Sequence, residues 1–357
     1  MTPFVFNALP VRVTFGRGSI SVLKSEIERM GCKRALFLCT PEQVQGLEPI
    51  AASVDSLAVG IFSRAAMHTP VNVTEEAVAA VNSCGADCIV AFGGGSAIGL
   101  GKAIALRTDL AQIAIPTTYA GSEMTPIIGE TQAGKKTTQR TLRVLPEAAI
   151  YDVDFSLTMP LGMTVTSGMN AIAHAVEALY AQDRNPIITM MAEQAIVALG
   201  QSLPRIRESQ NDVSSRSQAL YGAWLAGMCL GSVGMALHHK LCHVLGGSCN
   251  LPHADTHSVV LPYALAFNAG HVSEADAAVA RILNAPTGAR GLISLAADLG
   301  CPRSLESIGM KETDINLVAD LAVQNPYWNP APVSRESIHA LIADAFAGVM
   351  PRERYCG

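Results

Sequence analysis

The run Cys88–Phe92 (CIVAF) passes without a polar residue straight into Gly93, Gly94 and Gly95, and 101–107 then carries a helical pattern. A strand that is apolar at every position must be covered on both faces, and successive glycines allow a tight turn into a helix. Such a junction constrains the chain to a parallel sheet with helices packed on it, because parallel strands need crossover connections. The neighbouring sequence repeats the pattern. Strands are predicted over 11–15, 34–39, 112–115 and 148–151, and helices over 21–30 and 74–84. This predicts an α/β domain with a Rossmann-like parallel sheet over residues 1–155.

Beyond Asp154 strand signals nearly vanish. Helical patterns follow one another over 169–180, 187–203, 214–230, 237–245, 257–269, 272–283, 288–299, 312–322 and 335–347. Residues 156–357 are therefore expected to form an all-α domain, with the boundary in the turn-rich segment YDVDFSLTMP.

The glycine run also has a chemical reading. Glycines let a backbone approach a diphosphate, and the following helix start offers free N–H groups and a partial positive charge. Lys102 lies one to two turns into that helix, while Thr117, Thr118 and Ser122 follow the next buried strand in PTTYAGSEMTP. Both loops lie at the carboxyl ends of strands, where open α/β sheets bind ligands, and together they favour a dinucleotide.

In the second domain, His239, His243 and His253 fall within HKLCHVLGGSCNLPH. Two of them are four apart, so their rings share a helix face. Upstream, GMNAIAHAVEALY repeats that spacing with Asn170 and His174. With aspartate at the first position, this set would suit iron or zinc. A neutral amide is a poor metal ligand, so a metal-free polar pocket is expected.

Only 15% of the residues are charged, below the roughly 25% usual for soluble domains, so apolar surface is expected to be shared with a second copy. A net charge of -5 without a long basic run removes the footprint needed for nucleic acid. The opening MTPFVFNALPVRVTFG does not read as a secretory signal. The nine scattered cysteines read as reduced thiols of a cytoplasmic protein. Residues 219–237 are uncharged and long enough to span a bilayer, but their glycines and their lead into the histidines indicate a buried helix and no membrane span.

Together, GGGSAIGLGK, PTTYAGSEMTP, GMNAIAHAVEALY, HKLCHVLGG and NLPHADTHSVVLPYALAFN resemble the iron-containing (group III) alcohol dehydrogenase family. AGKKTTQRTLRVLPEAAIYD, Gly99, Asn170 and NPYWNPAPV are similar to the branch of that family that reduces maleylacetate. The resemblance implies a dehydroquinate synthase-like pair of domains, a homodimer, and NADH or NADPH as cofactor. It places Gly94, Gly95 and Ser96 at the pyrophosphate, with Thr117, Thr118 and Lys136 lining the cofactor cleft. His174, His239 and His253 match the family's metal-ligand histidines and His243 its additional active-site histidine, while Asn170 departs from the metal pattern. The implied reaction is reduction of the carbon–carbon double bond of a small dicarboxylate enone, maleylacetate or a chlorinated analogue, to 3-oxoadipate. His243, helped by His253 and the Asn170 amide, is the expected donor to the enolate, and His174, His239 and Lys240 are available for the carboxylates. The rival readings are a metal-dependent alcohol or polyol dehydrogenase and a lyase resembling dehydroquinate synthase. A dinucleotide-binding sensor would have no need of the four histidines.

Overall fold

The computed structural model describes residues 3–133, 135–324, 327–352 and Tyr355, and the side chains of Lys135 and Lys136 also lie outside that description. The chain forms two compact units, one over 8–159 and the other from Pro160 onward together with the segment before Ala8.

In the first unit the elements run β1 (Arg12–Phe15), α1 (Leu23–Arg29), β2 (Ala35–Leu38), α2 (Val44–Ser53), β3 (Ala58–Phe62), α3 (Val71–Cys84), β4 (Cys88–Gly93), α4 (Gly95–Thr108) and β5 (Ala111–Pro116). They continue with β6 (Ile127–Gln132), β7 (Lys135–Arg140), β8 (Ala148–Tyr151) and α5 (Val153–Leu157). Six strands make one parallel sheet in the order β1-β8-β5-β4-β2-β3. Phe37, Val90 and Ile113 point into one apolar layer with Leu23 and Leu47, while Leu36 and Ile89 point into the opposite layer with Ala77 and Ile104. That two-sided burial is why β2 and β4 lack alternating polar residues.

The chain runs outward from β2 to β3, then crosses back to β4. The carboxyl ends of β2 and β4 thus flank a topological switch point, where doubly wound sheets bind ligands. Two features were not anticipated. β3 is a short edge strand, and β6 and β7 pair as an antiparallel hairpin. The hairpin's sequence is mostly polar and its described outer residues are exposed, so it carries little apolar alternation to detect.

The second unit contains α6 (Leu161–Leu179), α7 (Pro186–Glu208), α8 (Val213–Ser232), α9 (Leu237–Cys249), α10 (His253–Asn268), α11 (Ser273–Ile282), α12 (Gly288–Leu299), α13 (Asp314–Ala322) and α14 (Arg335–Ala347). α6 is buried without interruption from Thr164 to Leu179, the mark of a core helix rather than an amphipathic surface one. At Gly168 an added Cβ would lie 2.6 Å from Leu203, so glycine allows α6 and α7 to approach closely. Among the described residues no single helix is long and apolar enough to cross a membrane. α8 stops at Ser232, and the chain turns by 94° into α9.

Candidate active site

The glycine turn after β4 is shaped by its neighbours. Gly93 has φ 144°, and an added Cβ there would meet Gln43 Oε1 at 2.5 Å; one on Gly94 would lie 2.9 Å from the Thr118 side chain. Gly95, the first residue of α4, has nothing within 4 Å of such a Cβ. The cap residue Gly94 makes no side-chain cap hydrogen bond. The result is an open helix N-terminus with room for a diphosphate over Gly94, Gly95 and Ser96. Gln43, in the 3-10 turn between β2 and α2, donates to Thr117 Oγ1 at 3.0 Å and thereby ties the loops after β2 and β5 together. Gln43 had no signature of its own in the sequence.

The expectation for Lys102 is corrected. It is 1% exposed, and its Nζ donates to the carbonyls of Thr125 and Ile127 at 2.8 and 2.9 Å, to Thr125 Oγ1 at 2.8 Å and to the Ser122 carbonyl. Burial pushes its amine down to about 7, opposed by nearby Glu123. With its donors used, Lys102 braces the segment after β5 and does not face a diphosphate. Ser122 contributes its carbonyl to this brace. The Lys136 side chain lies outside the described residues.

In the second unit three helices bring the predicted polar residues together. α6 supplies Asn170 and His174, α9 supplies His239 and His243, and α10 begins at His253. The α10 start was predicted four residues later. Pro252 stands immediately before the first turn and ends the preceding loop. His243 and His253 are exposed, whereas Asn170, His174 and His239 are 4%, 3% and 7% exposed. His239 and His243 have ring centres 6.5 Å apart.

Beneath them the polar groups connect in series. Asn170 Nδ2 lies 3.3 Å from His174 Nε2, His174 Nδ1 lies 2.8 Å from His239 Nε2, and His239 Nδ1 lies 2.6 Å from Glu177 Oε2. Glu177 also accepts backbone N–H groups from Ala236 at 3.1 Å, His238 at 2.8 Å and His239 at 3.4 Å. Its carboxylate therefore caps the start of α9 from a neighbouring helix. Burial raises this carboxyl above the usual range, while the neighbouring His238 imidazole and the helix N–H groups act the other way.

His238 and His257 complete the cluster, although neither was singled out from sequence. Both are fully buried. His238 Nε2 lies 3.1 Å from the His257 carbonyl oxygen, and the His257 ring centre lies 4.3, 4.8 and 5.1 Å from those of His253, His238 and His239. Ligand atoms of His238, His239 and His257 can be chosen within 4.8 Å of one another. The sequence did carry signals: Glu177 is three residues beyond His174, and His257 repeats the four-residue spacing from His253.

The iron-containing alcohol dehydrogenase model matches residues 10–153, and the model for the C-terminal part of the Fe-containing alcohol dehydrogenase family matches 164–346. The chain belongs to the iron-containing alcohol dehydrogenase family. Within it, the chain is 53% identical to the maleylacetate reductase of Rhizobium sp. strain MTP-10005 over 98% of this chain and 100% of the relative. It is 52% identical to the Burkholderia cepacia maleylacetate reductase with the same coverage. The crystal structure of maleylacetate reductase from Agrobacterium tumefaciens superposes with a TM-score of 0.95 at 51% identity, covering 98% of this chain and all of that one.

Family membership raises the question of a metal. Two imidazole nitrogens on one tetrahedral ion stand about 3.3 Å apart, from metal–nitrogen bonds of roughly 2.05 Å. The His174–His239 nitrogens are 2.8 Å apart, the spacing of a hydrogen bond, and one of them is the Nδ1 of His174. Neither this arrangement nor the neutral Asn170 fits a dication at the family position. The nicotinamide dinucleotide fits better, because the glycine turn presents open space and free helix N–H groups.

Proposed function

We propose that this chain is an NADH- or NADPH-dependent reductase of the carbon–carbon double bond of maleylacetate, giving 3-oxoadipate, and that it works without a bound metal. Whole-length identity of about one half with maleylacetate reductases supports the substrate assignment. The observation that carries the metal-free part is Asn170, a neutral amide bonded to a neighbouring imidazole where a carboxylate ligand would be needed.

When bound, the reduced nicotinamide supplies hydride to the alkene carbon distal to the ketone. The ketone oxygen then gains negative charge and needs a hydrogen-bond donor. His243 and His253 are the exposed imidazoles of the cluster and take that role, with His243 as principal donor and proton source. The buried histidines cannot share it equally. Burial holds His238 and His239 neutral, pushing the former down to about 4. Each neutral ring has one N–H to give.

The substrate's negative charge calls for a cation. Lys240 follows His239 on α9 and lies three residues before His243, on the same side of the helix. Its Nζ bonds the Gln324 carbonyl at 3.0 Å and stands 5.3 Å from the centre of the Tyr327 ring. It remains only partly buried and is the nearest lysine in sequence to the pocket. A homodimer in the cytoplasm belongs to the same proposal.

The test is the purified protein with NADH and maleylacetate, set against NAD and small alcohols. Oxidation of NADH by maleylacetate with little alcohol oxidation supports the reading. Metal-dependent alcohol oxidation with no maleylacetate turnover overturns it in favour of the alcohol dehydrogenase alternative.

A further inference from the structure

We infer that Glu177 is a positioning residue that, with Asn170, caps the two ends of a one-way hydrogen-bond chain through His239 and His174, thereby closing the family's metal position. The direction follows from the ends. Glu177 is held by helix N–H groups and serves as the acceptor, so His239 donates to it from Nδ1 at 2.6 Å. A neutral ring has then spent its proton, and His239 Nε2 is an acceptor. It receives Nδ1–H of His174 at 2.8 Å. His174 Nε2 is therefore also an acceptor, and it receives the Asn170 amide N–H at 3.3 Å.

Each of these three side-chain contacts then pairs one donor with one acceptor. The remaining amide oxygen, Asn170 Oδ1, is buried and has no hydrogen-bond partner. This assignment corrects the expectation that the two buried histidines donate to the substrate, because the one N–H of each neutral ring is directed along this chain, whereas Asn170 keeps its second amide N–H. It also explains the mismatch with a metal. With aspartate at position 170, both ends of the chain would accept. His174 would have to donate outward from Nε2, leaving its Nδ1 lone pair facing the His239 Nε2 lone pair. Only a cation or an added proton relieves that opposition. Asparagine removes it with one amide N–H.

The inference is independent of the substrate's identity and can be tested without turnover. Nitrogen-15 labelling of histidine separates the two neutral ring tautomers by NMR, with signals assigned from His174→Ala and His239→Ala. In the wild-type protein both residues are expected as Nδ1–H tautomers. An Nε2–H tautomer at either overturns the chain. In Glu177→Gln the new amide can donate to His239 Nδ1, which would turn both residues to Nε2–H. A purely structural role for Glu177 would not move the tautomer of His174, which it does not touch.

Metal content gives a second arm. After incubation with Zn²⁺ and gel filtration, the wild type is expected to hold well under one equivalent. Asn170→Asp is expected to bind Zn²⁺ at least about a hundredfold more tightly, in line with the weight of a charged ligand at such sites. Stoichiometric zinc in the wild type, or no gain in Asn170→Asp, contradicts the proposal. If Glu177→Gln does not fold, the wild-type spectrum and the Asn170→Asp titration still decide.

Discussion

The rings of His253 and His257 lie 4.3 Å apart between centres, one exposed at the first residue of α10 and the other fully buried one turn later. Neither ring nitrogen of His257 has a hydrogen-bond partner. A buried polar group left unsatisfied costs roughly 1–3 kcal/mol, which an apolar residue of similar size does not incur. His257→Leu should therefore cost less stability than its full burial implies, about 1 kcal/mol or less either way, while lowering turnover because His253 loses its ring support. Denaturant unfolding and steady-state kinetics on one preparation check both parts.

His243 and His253 should be separable from His239 by kinetics. Removing a donor that acts mainly on the enolate is expected to lower kcat by roughly a hundred- to a thousandfold with a smaller change in KM. His243→Ala should behave in this way. Near-normal turnover by that variant would remove His243 from the mechanism.

Acid should destabilise the second unit steeply. Burial lowers the proton affinity of His238, to about 4, and pushes His239 and His257 well below their usual value as well. In the unfolded chain these imidazoles take protons near pH 6.5, so the unfolded state binds more protons as pH falls from about 6.5 toward 4. Stability is present above that range and is lost through it, with His238 alone contributing on the order of 3 kcal/mol. Unfolding free energies measured at half-unit steps from pH 7 to 4 would show a slope approaching three protons below about pH 6.5. A flat profile down to pH 5 would contradict the burial argument.

The glycine turn provides a paired test. A Cβ on Gly95 meets nothing within 4 Å, whereas one on Gly94 lies 2.9 Å from Thr118. Gly95→Ala should retain stability and weaken NADH binding by about tenfold or more, because the methyl group enters space assigned to the diphosphate. Gly94→Ala should lose both. Lys102→Met should instead destabilise the first unit by roughly 2–4 kcal/mol, leaving carbonyls unsatisfied. Calorimetric titration with NADH and thermal unfolding separate these outcomes.

Much of the fold was legible because burial leaves a pattern in the side chains. β2 and β4 are apolar on both faces, and the four-residue spacings Asn170–His174 and His239–His243 mark α6 and α9. The β6–β7 hairpin was missed because its described exposed residues obey no apolar alternation. The clustering of the candidate site was legible where it depends on spacing, as with Asn170 and His174. It was not legible where function depends on direction. Lys102 occupies a position suited to a phosphate contact, yet its Nζ turns to backbone carbonyls of the same unit. Glu177 reads as an ordinary helix residue until α9 is placed with its N–H groups on the carboxylate.

The most direct test of the proposed reaction follows the hydride. Metal-stripped enzyme would be given maleylacetate and NADH carrying deuterium at the transferable position, and the product examined by NMR. The expected product is 3-oxoadipate with deuterium on the former alkene carbon distal to the ketone, and a solvent proton on the carbon next to the ketone. Deuterium on a carbinol carbon, or turnover that returns only when iron or zinc is restored, would contradict it.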